Sequence, residues 1–129
     1  MQSVKIAEVF NSIADDSSLE LFKIIAMSNG ANSDLLRSKM TLTRKQYYSR
    51  LYRLSHCGLI KRRDNNYFLT AFGKVLYDAQ ATIENALKNY WRIKVVDTLD
   101  VADGVPPDEQ KRLVETLISD QEIKSILMK

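Results

Sequence analysis

One cysteine, Cys57, and one histidine, His56, are the only soft metal ligands in 129 residues. A lone thiol forms no internal disulfide, which excludes a disulfide-stapled secreted scaffold, and two adjacent ligands fall short of the four that structural zinc sites use. Glycine is equally scarce. From Gly30, Gly58, Gly73 and Gly104 no phosphate-cradling loop or dinucleotide fingerprint can be written, so neither an ATPase nor a dehydrogenase is expected. Long apolar runs are missing too: every stretch falls far short of the ~20 residues of a membrane span. Residues 1–10 carry Lys5 and Glu8 and have neither an apolar signal core nor a small-residue cleavage site. The expectation is a protein of the reducing cytoplasm, with no membrane partner.

What is present is an ordinary globular composition, 45% apolar and 27% charged, enough for one core with a helical extension. Apolar residues at helical spacing predict a first short helix over 4–13. The polar cluster Asp15-Asp16-Ser17-Ser18 caps a second, strongly apolar helix that stops at Asn29-Gly30. A short amphipathic helix over 34–40 would turn Leu35, Leu36 and Met40 inward. Thr43 is a natural N-cap for the next helix, which ends near Cys57-Gly58. After Gly58 the period changes: Leu59-Ile60-Lys61-Arg62-Arg63 and Tyr67-Phe68-Leu69-Thr70 are short β-prone runs about Asp64-Asn65-Asn66, a two-stranded hairpin. Thr70 then caps a pattern without proline from 71 to about 99, predicting one helix of roughly 40 Å. In it Leu76, Ala79, Ile83, Ala86, Tyr90 and Ile93 recur at steps of three and four, and Phe72, Val75, Leu76 and Ala79 complete the first core. Asp103-Gly104-Val105-Pro106-Pro107 breaks the chain before two short helices, the last capped by Asp120.

The net charge of +3 hides a segregation. Residues 35–63 contain nine bases, Arg37, Lys39, Arg44, Lys45, Arg50, Arg53, Lys61, Arg62 and Arg63, and no acid, while the rest carries ten bases and sixteen acids. A basic field on an otherwise acidic chain is the footprint of contact with a polyanion. It coincides with the helix, turn, helix and hairpin just derived, in which a second helix enters the major groove and a β wing touches the backbone beside it.

These residues resemble a known family. Leu42-Thr43, Leu51, Leu54 and Gly58-Leu59-Ile60, followed by basic residues, a turn, Tyr67-Phe68-Leu69-Thr70 and Gly73, are similar to the winged helix-turn-helix of small archaeal and bacterial transcription regulators. The ArsR-like (arsenic-repressor) and MarR-like (multiple-antibiotic-resistance-regulator) groups are the nearest in character, over about residues 16–77. The resemblance implies a mostly α (α+β) fold, a winged helix-turn-helix with a long helix after the wing and C-terminal helices for dimerisation. Residues 1–77 would be the DNA-binding domain and 78–129 a helical dimerisation extension continuous with it. It also implies a homodimeric regulator of double-stranded DNA without cofactor. The paired cysteines and the His and Asp pairs of metal-sensing members are missing, so metal sensing is not expected.

Periodicity turns Tyr47, Leu51 and Leu54 to the core and leaves Thr43, Arg44, Lys45, Gln46, Tyr48, Ser49 and Tyr52 for DNA. Arg forks onto guanine, Gln pairs with adenine, and Lys or Tyr holds phosphate. Arg37, Ser38 and Lys39 are candidate backbone contacts, Arg53 is a further candidate DNA contact, and Lys61, Arg62, Arg63, Asn65 and Asn66 form the wing. Tyr52 is equally suited to packing. Arg50 and Arg53 could instead form structural ion pairs with Glu20 or with acids of the C-terminal helices, the reading favoured for Arg50. The neighbours His56 and Cys57 point about 100° apart on a helix and have no third orienting group, which argues against catalysis there. Asp15-Asp16 and Asp108-Glu109 sit at helix starts, where capping explains them.

Ile83, Leu87, Tyr90, Trp91, Val95 and Leu99 form a stripe beyond the reach of the first core and read as a dimer interface, unless the last two helices fold back over it. Tyr77, Tyr90 and Trp91 suit a packed interface better than a ligand pocket, and no effector is assigned. The rival to DNA binding is a winged-helix interaction module of the transcription machinery. Its partner would meet residues 97–129, which hold eight acids and four bases.

Overall fold

The computed structural model describes residues 3–28, 30–101 and 104–129. Asn29 of the expected helix stop and Asp103 of the expected breaker lie outside the described residues. Two compact units divide the chain, Met1–Tyr77 and Asp78–Lys129.

The first unit runs α1 (Ile6–Asn11), α2 (Asp16–Ser28), β1 (Ala31–Asn32), α3 (Ser33–Lys39), α4 (Arg44–His56), β2 (Ile60–Arg63), β3 (Asn66–Leu69) and the start of α5 (Ala71–Lys88). Its core gathers Leu21, Phe22 and Ile25 of α2, Leu36 of α3, and Tyr47, Leu51 and Leu54 of α4 around Leu59, Ile60, Tyr67 and Leu76. α1 is shorter than its apolar pattern: Val9 is buried, but Ile6 and Phe10 face outward. Leu35 is exposed rather than inward, because its neighbour Leu36 takes the inner face and adjacent helical side chains diverge by about 100°. Phe72 and Val75 are exposed as well. Leu76 and half-buried Tyr77 supply the contact instead, the Tyr77 ring meeting Phe22 edge-on at 6.2 Å.

The expected hairpin has a third strand. The sheet order is β1-β3-β2, all antiparallel, with Ala31 opposite Tyr67 and Asn32 opposite Asn66. The Ser33 N–H extends this pairing by donating to the Asn65 carbonyl at 3.1 Å. The turn is two residues, Asp64-Asn65, with Asp64 in the left-handed region at φ 57, so Asn66 belongs to β3, opposite Arg63.

Side chains set the helix starts as their positions require. Asp15 Oδ2 accepts the Ser18 N–H at 3.1 Å and Asn32 Oδ1 that of Asp34 at 2.9 Å. α4 ends in a Schellman motif, with Gly58 at φ 75 donating to the Ser55 carbonyl and Leu59 donating to that of Leu54, both at 3.0 Å. Thr70 Oγ1 accepts the Gly73 N–H at 2.9 Å and donates to the Gly58 carbonyl. A β-carbon at Gly73 would strike the Leu59 carbonyl oxygen, so only glycine lets α5 begin there. Two helices in a helix-turn-helix, followed by a hairpin against a third short strand, make a winged helix.

The second unit holds the rest of α5 with α6 (Tyr90–Val101), α7 (Pro107–Leu117) and α8 (Gln121–Leu127). The helix expected to run from 71 to about 99 is therefore two, parted at Asn89. The Asn89 N–H is shared between the carbonyls of Asn85 and Ala86 at 3.1 and 3.2 Å, and its side-chain amide takes the Asn85 carbonyl again at 2.8 Å. This side-chain competition for backbone groups is what disfavours asparagine inside helices. A small core of Val96, Val114, Ile118 and Ile123 packs with Ala86, Ile93, Leu117, Leu127 and Met128. Asp120 caps α8 through the N–H groups of Glu122 and Ile123 at 2.9 and 3.1 Å. Asn85 donates to Asp120 at 3.2 Å and Thr82 to Glu122, so the start of α8 is tied to α5. Among the described residues no helix is long and apolar enough to cross a membrane.

Candidate nucleic-acid interface

α4 shows two chemically different faces. Tyr47, Leu51 and Leu54 are buried, and the Tyr47 hydroxyl donates to the Ser33 carbonyl at 3.0 Å, joining α4 to the first helix of the helix-turn-helix. Thr43, Arg44, Lys45, Gln46, Tyr48, Ser49 and Tyr52 are all exposed. Two of these are already engaged: Thr43 Oγ1 accepts the Gln46 N–H at 3.2 Å and Gln46 Oε1 accepts the Thr43 N–H at 3.1 Å, a reciprocal capping box. The Gln46 oxygen is thus turned to the backbone, which leaves its amide NH2 but not its acceptor for a base. Tyr48 lies edge-on to Tyr47 at 5.1 Å, and Tyr52, 69% exposed, stacks on His56 with the rings 15° from parallel. Tyr52 packs, but on the surface.

The inner flank of α4 carries Arg50 and Arg53, and its partner is Asp15 at the start of α2. Arg50 reaches Asp15 Oδ2 through Nε at 3.3 Å and Nη2 at 3.2 Å, and donates to the Gln46 carbonyl at 3.2 Å. Arg53 stands 4.0 Å from Asp15 Oδ1. The structural pairing of Arg50 is therefore made by Asp15 rather than by Glu20 or the C-terminal helices, and Asp15 is more than a cap. Burial pushes the Asp15 carboxyl up, but hydrogen bonding from Ser18 and the Arg50 charge outweigh it, so its pKa lies below the ordinary carboxylate value. Nothing in the sequence marks this pair, whose members are 35 positions apart.

On the preceding helix Arg37 is half-buried, and Ser38 and Lys39 are exposed, Ser38 with its hydroxyl on the Leu35 carbonyl at 2.8 Å. In the wing, β2 is an edge strand and Lys61, Arg62 and Arg63 are all exposed despite the alternation of their directions. Arg62 folds over the turn, with Nε to the Asp64 carbonyl and Nη2 to Asn65 Oδ1, both at 3.1 Å. Arg63 covers the Phe68 ring at 5.9 Å. Lys61 has neither engagement. Asn66, half-buried in the ladder, is a strand residue rather than a tip residue.

No family model matches the chain, and no curated protein does. Among solved structures, an ArsR-like transcriptional regulator from Rhodococcus sp. RHA1 is similar over 77% of this chain and 93% of its own length, at 18% identity and a TM-score of 0.49.

The remaining candidates separate cleanly. Cys57 is buried with its thiol toward the Glu8 carbonyl, while His56 is exposed and stacks on Tyr52, although both residues line one cavity with Glu8, Asn11, Ser12 and Arg53. Tyr77 belongs to the first core. Among the described residues no three His, Cys, Asp or Glu side chains gather as metal ligands. Asp108 and Glu109 occupy the first turn of α7. In the second unit Ile83, Leu87, Tyr90, Trp91 and Val95 are exposed, Trp91 at 76%. Leu99 is not with them: it is half-buried beside Val96, Val114 and Leu127. α7 and α8 do fold back, but onto Ala86, Ile93 and Val96, which lie on a different face from the stripe.

Proposed function

We propose that this chain is a transcription regulator that binds duplex DNA, with α4 in the major groove and the wing, about residues 61–67, on the flanking backbone. The observation that supports this most is the exposed face of α4 and edge strand β2, which hold Arg44, Lys45, Lys61, Arg62 and Arg63 without an acid among them. In this reading Arg44 and Lys45, in the first turn, contact base edges and phosphates, with Tyr48, Ser49 and Tyr52 along the same helix. Thr43 and Gln46 shape the end of the helix that meets the groove. Arg37, Ser38, Lys39 and the wing residues contribute backbone contacts. The protein works without a cofactor, catalyses no reaction, and acts at the nucleoid in the cytoplasm.

Two copies pair through Ile83, Leu87, Tyr90, Trp91 and Val95, since the two C-terminal helices leave this row uncovered and a two-fold pair presents recognition helices about 34 Å apart, one DNA turn. Fluorescence anisotropy against mixed genomic fragments at several salt concentrations tests the DNA reading. Each phosphate neutralised contributes a slope of about −0.9 in log K against log salt, so six contacts give about −5. A flat response, or no binding at low salt, points instead to an interaction module whose partner meets the acidic C-terminal region.

A further inference from the structure

The two guanidinium groups that converge on Asp15 are held very differently. Arg50 makes two hydrogen bonds, one to Asp15 Oδ2 and one to the Gln46 carbonyl, adds an ion-pair contact of 3.2 Å from Nη2 to the same Oδ2, and has a side chain only 19% exposed. It fixes α4 to the start of α2. Arg53 reaches the same carboxylate only at 4.0 Å, its Nε is buried without a hydrogen-bond partner, and its side chain is 39% exposed. A guanidinium forms its best contacts as a planar fork on two oxygens. Arg50 has such a contact in part; Arg53 keeps its donors largely unspent, one residue along from exposed Tyr52.

We propose that Asp15 competes with the DNA backbone for Arg53, and is thereby a positioning residue that limits how many phosphates α4 neutralises. This rests on the DNA reading above. In the free protein Arg53 leans on Asp15; a phosphate beside α4 offers it the bidentate oxygens that Asp15, turned to Arg50 and to the Ser18 N–H, does not. Arg50 stays in place and keeps α4 seated.

Asp15→Asn separates charge from capping, because asparagine accepts the Ser18 N–H as well as aspartate does. Asp15→Ser, another good N-cap, serves as the second variant should the first fold poorly. In the full chain, either substitution tightens DNA binding about two- to fivefold at moderate salt, the range of an exposed ion pair. The salt slope also steepens by up to about 0.9, one further phosphate. In an Arg53→Ala background the gain disappears. An equal gain in that background assigns the effect to the general field of Asp15 and overturns the proposal. Weaker binding by the Asp15 variants also overturns it, because Asp15 then serves only to seat α4. Failure of the unaltered chain to bind DNA is seen before any variant is compared, and it overturns the DNA reading itself.

Discussion

Tyr47 brings a hydroxyl into the centre of the first core, where it donates to the Ser33 carbonyl. Burial pushes the phenol above its ordinary pKa, outweighing the opposing hydrogen bond with Ser33. Tyr47→Phe keeps the ring and leaves that carbonyl without its donor, a loss of about 1–2 kcal/mol that urea unfolding reads directly. An unchanged midpoint would mean that the hydroxyl contributes nothing. Asp15 gives the complementary acid-side prediction. Its folded pKa lies below the unfolded value of 3.8, so its contribution is complete above that value and is lost as pH falls through the lower folded one. The melting temperature of Asp15→Asn should therefore lie below that of the parent at neutral pH, and the two should converge on acidification below about pH 4. A constant gap across that range contradicts the pairing.

At the scale of elements, the capping box separates two roles that the sequence merges. Gln46 reads from the sequence as an adenine partner; in the structure its oxygen closes the helix start. Gln46→Ala should cost about 0.5–1 kcal/mol of stability and weaken all DNA sequences alike. Arg44→Ala should instead erode discrimination between sequences, by ~1 to 3 kcal/mol for a base-reading contact. Lys61→Ala should lower affinity uniformly and flatten the salt slope by about 0.9. Competition binding with matched and scrambled fragments distinguishes these outcomes. The elements legible beforehand were those with a long period or a specific cap: α2, α4 with Thr43, the wing strands, and α8 with Asp120. β1 is two residues long and shows no alternation, so it was invisible until β3 paired with it. The break at Asn89 was hidden because apolar spacing continues through it, while the cause is one side-chain amide.

For the molecule as a whole, the row at Ile83, Leu87, Trp91 and Val95 predicts self-association. Sedimentation equilibrium should show a dimer at micromolar concentration that dissociates in Trp91→Ala, and a monomeric parent would refute the pairing. The exposed basic face of α4 was legible from charge and periodicity because surface residues need only local rules to be exposed. The engagements of Gln46, Arg50 and Arg62 were not, since each depends on where a carbonyl or carboxylate from another position arrives. The expected stripe failed at Leu99 for a similar reason: which side of a helix is covered is decided by α7 and α8, not by the helix itself.

The meeting of Gly58, Leu59, Thr70 and Gly73 also bears on how such a protein can diversify. Residues 58 and 59 close α4, and Thr70 returns to the carbonyls of both just before α5 begins. The wing thus leaves and re-enters the body at one point, a loop whose ends are held whatever lies between them. Lengthening such a loop is cheap, about 0.6 kcal/mol for each doubling. Descendants of this chain are therefore free to lengthen, shorten or recharge the wing while α4 and the start of α5 keep their seats.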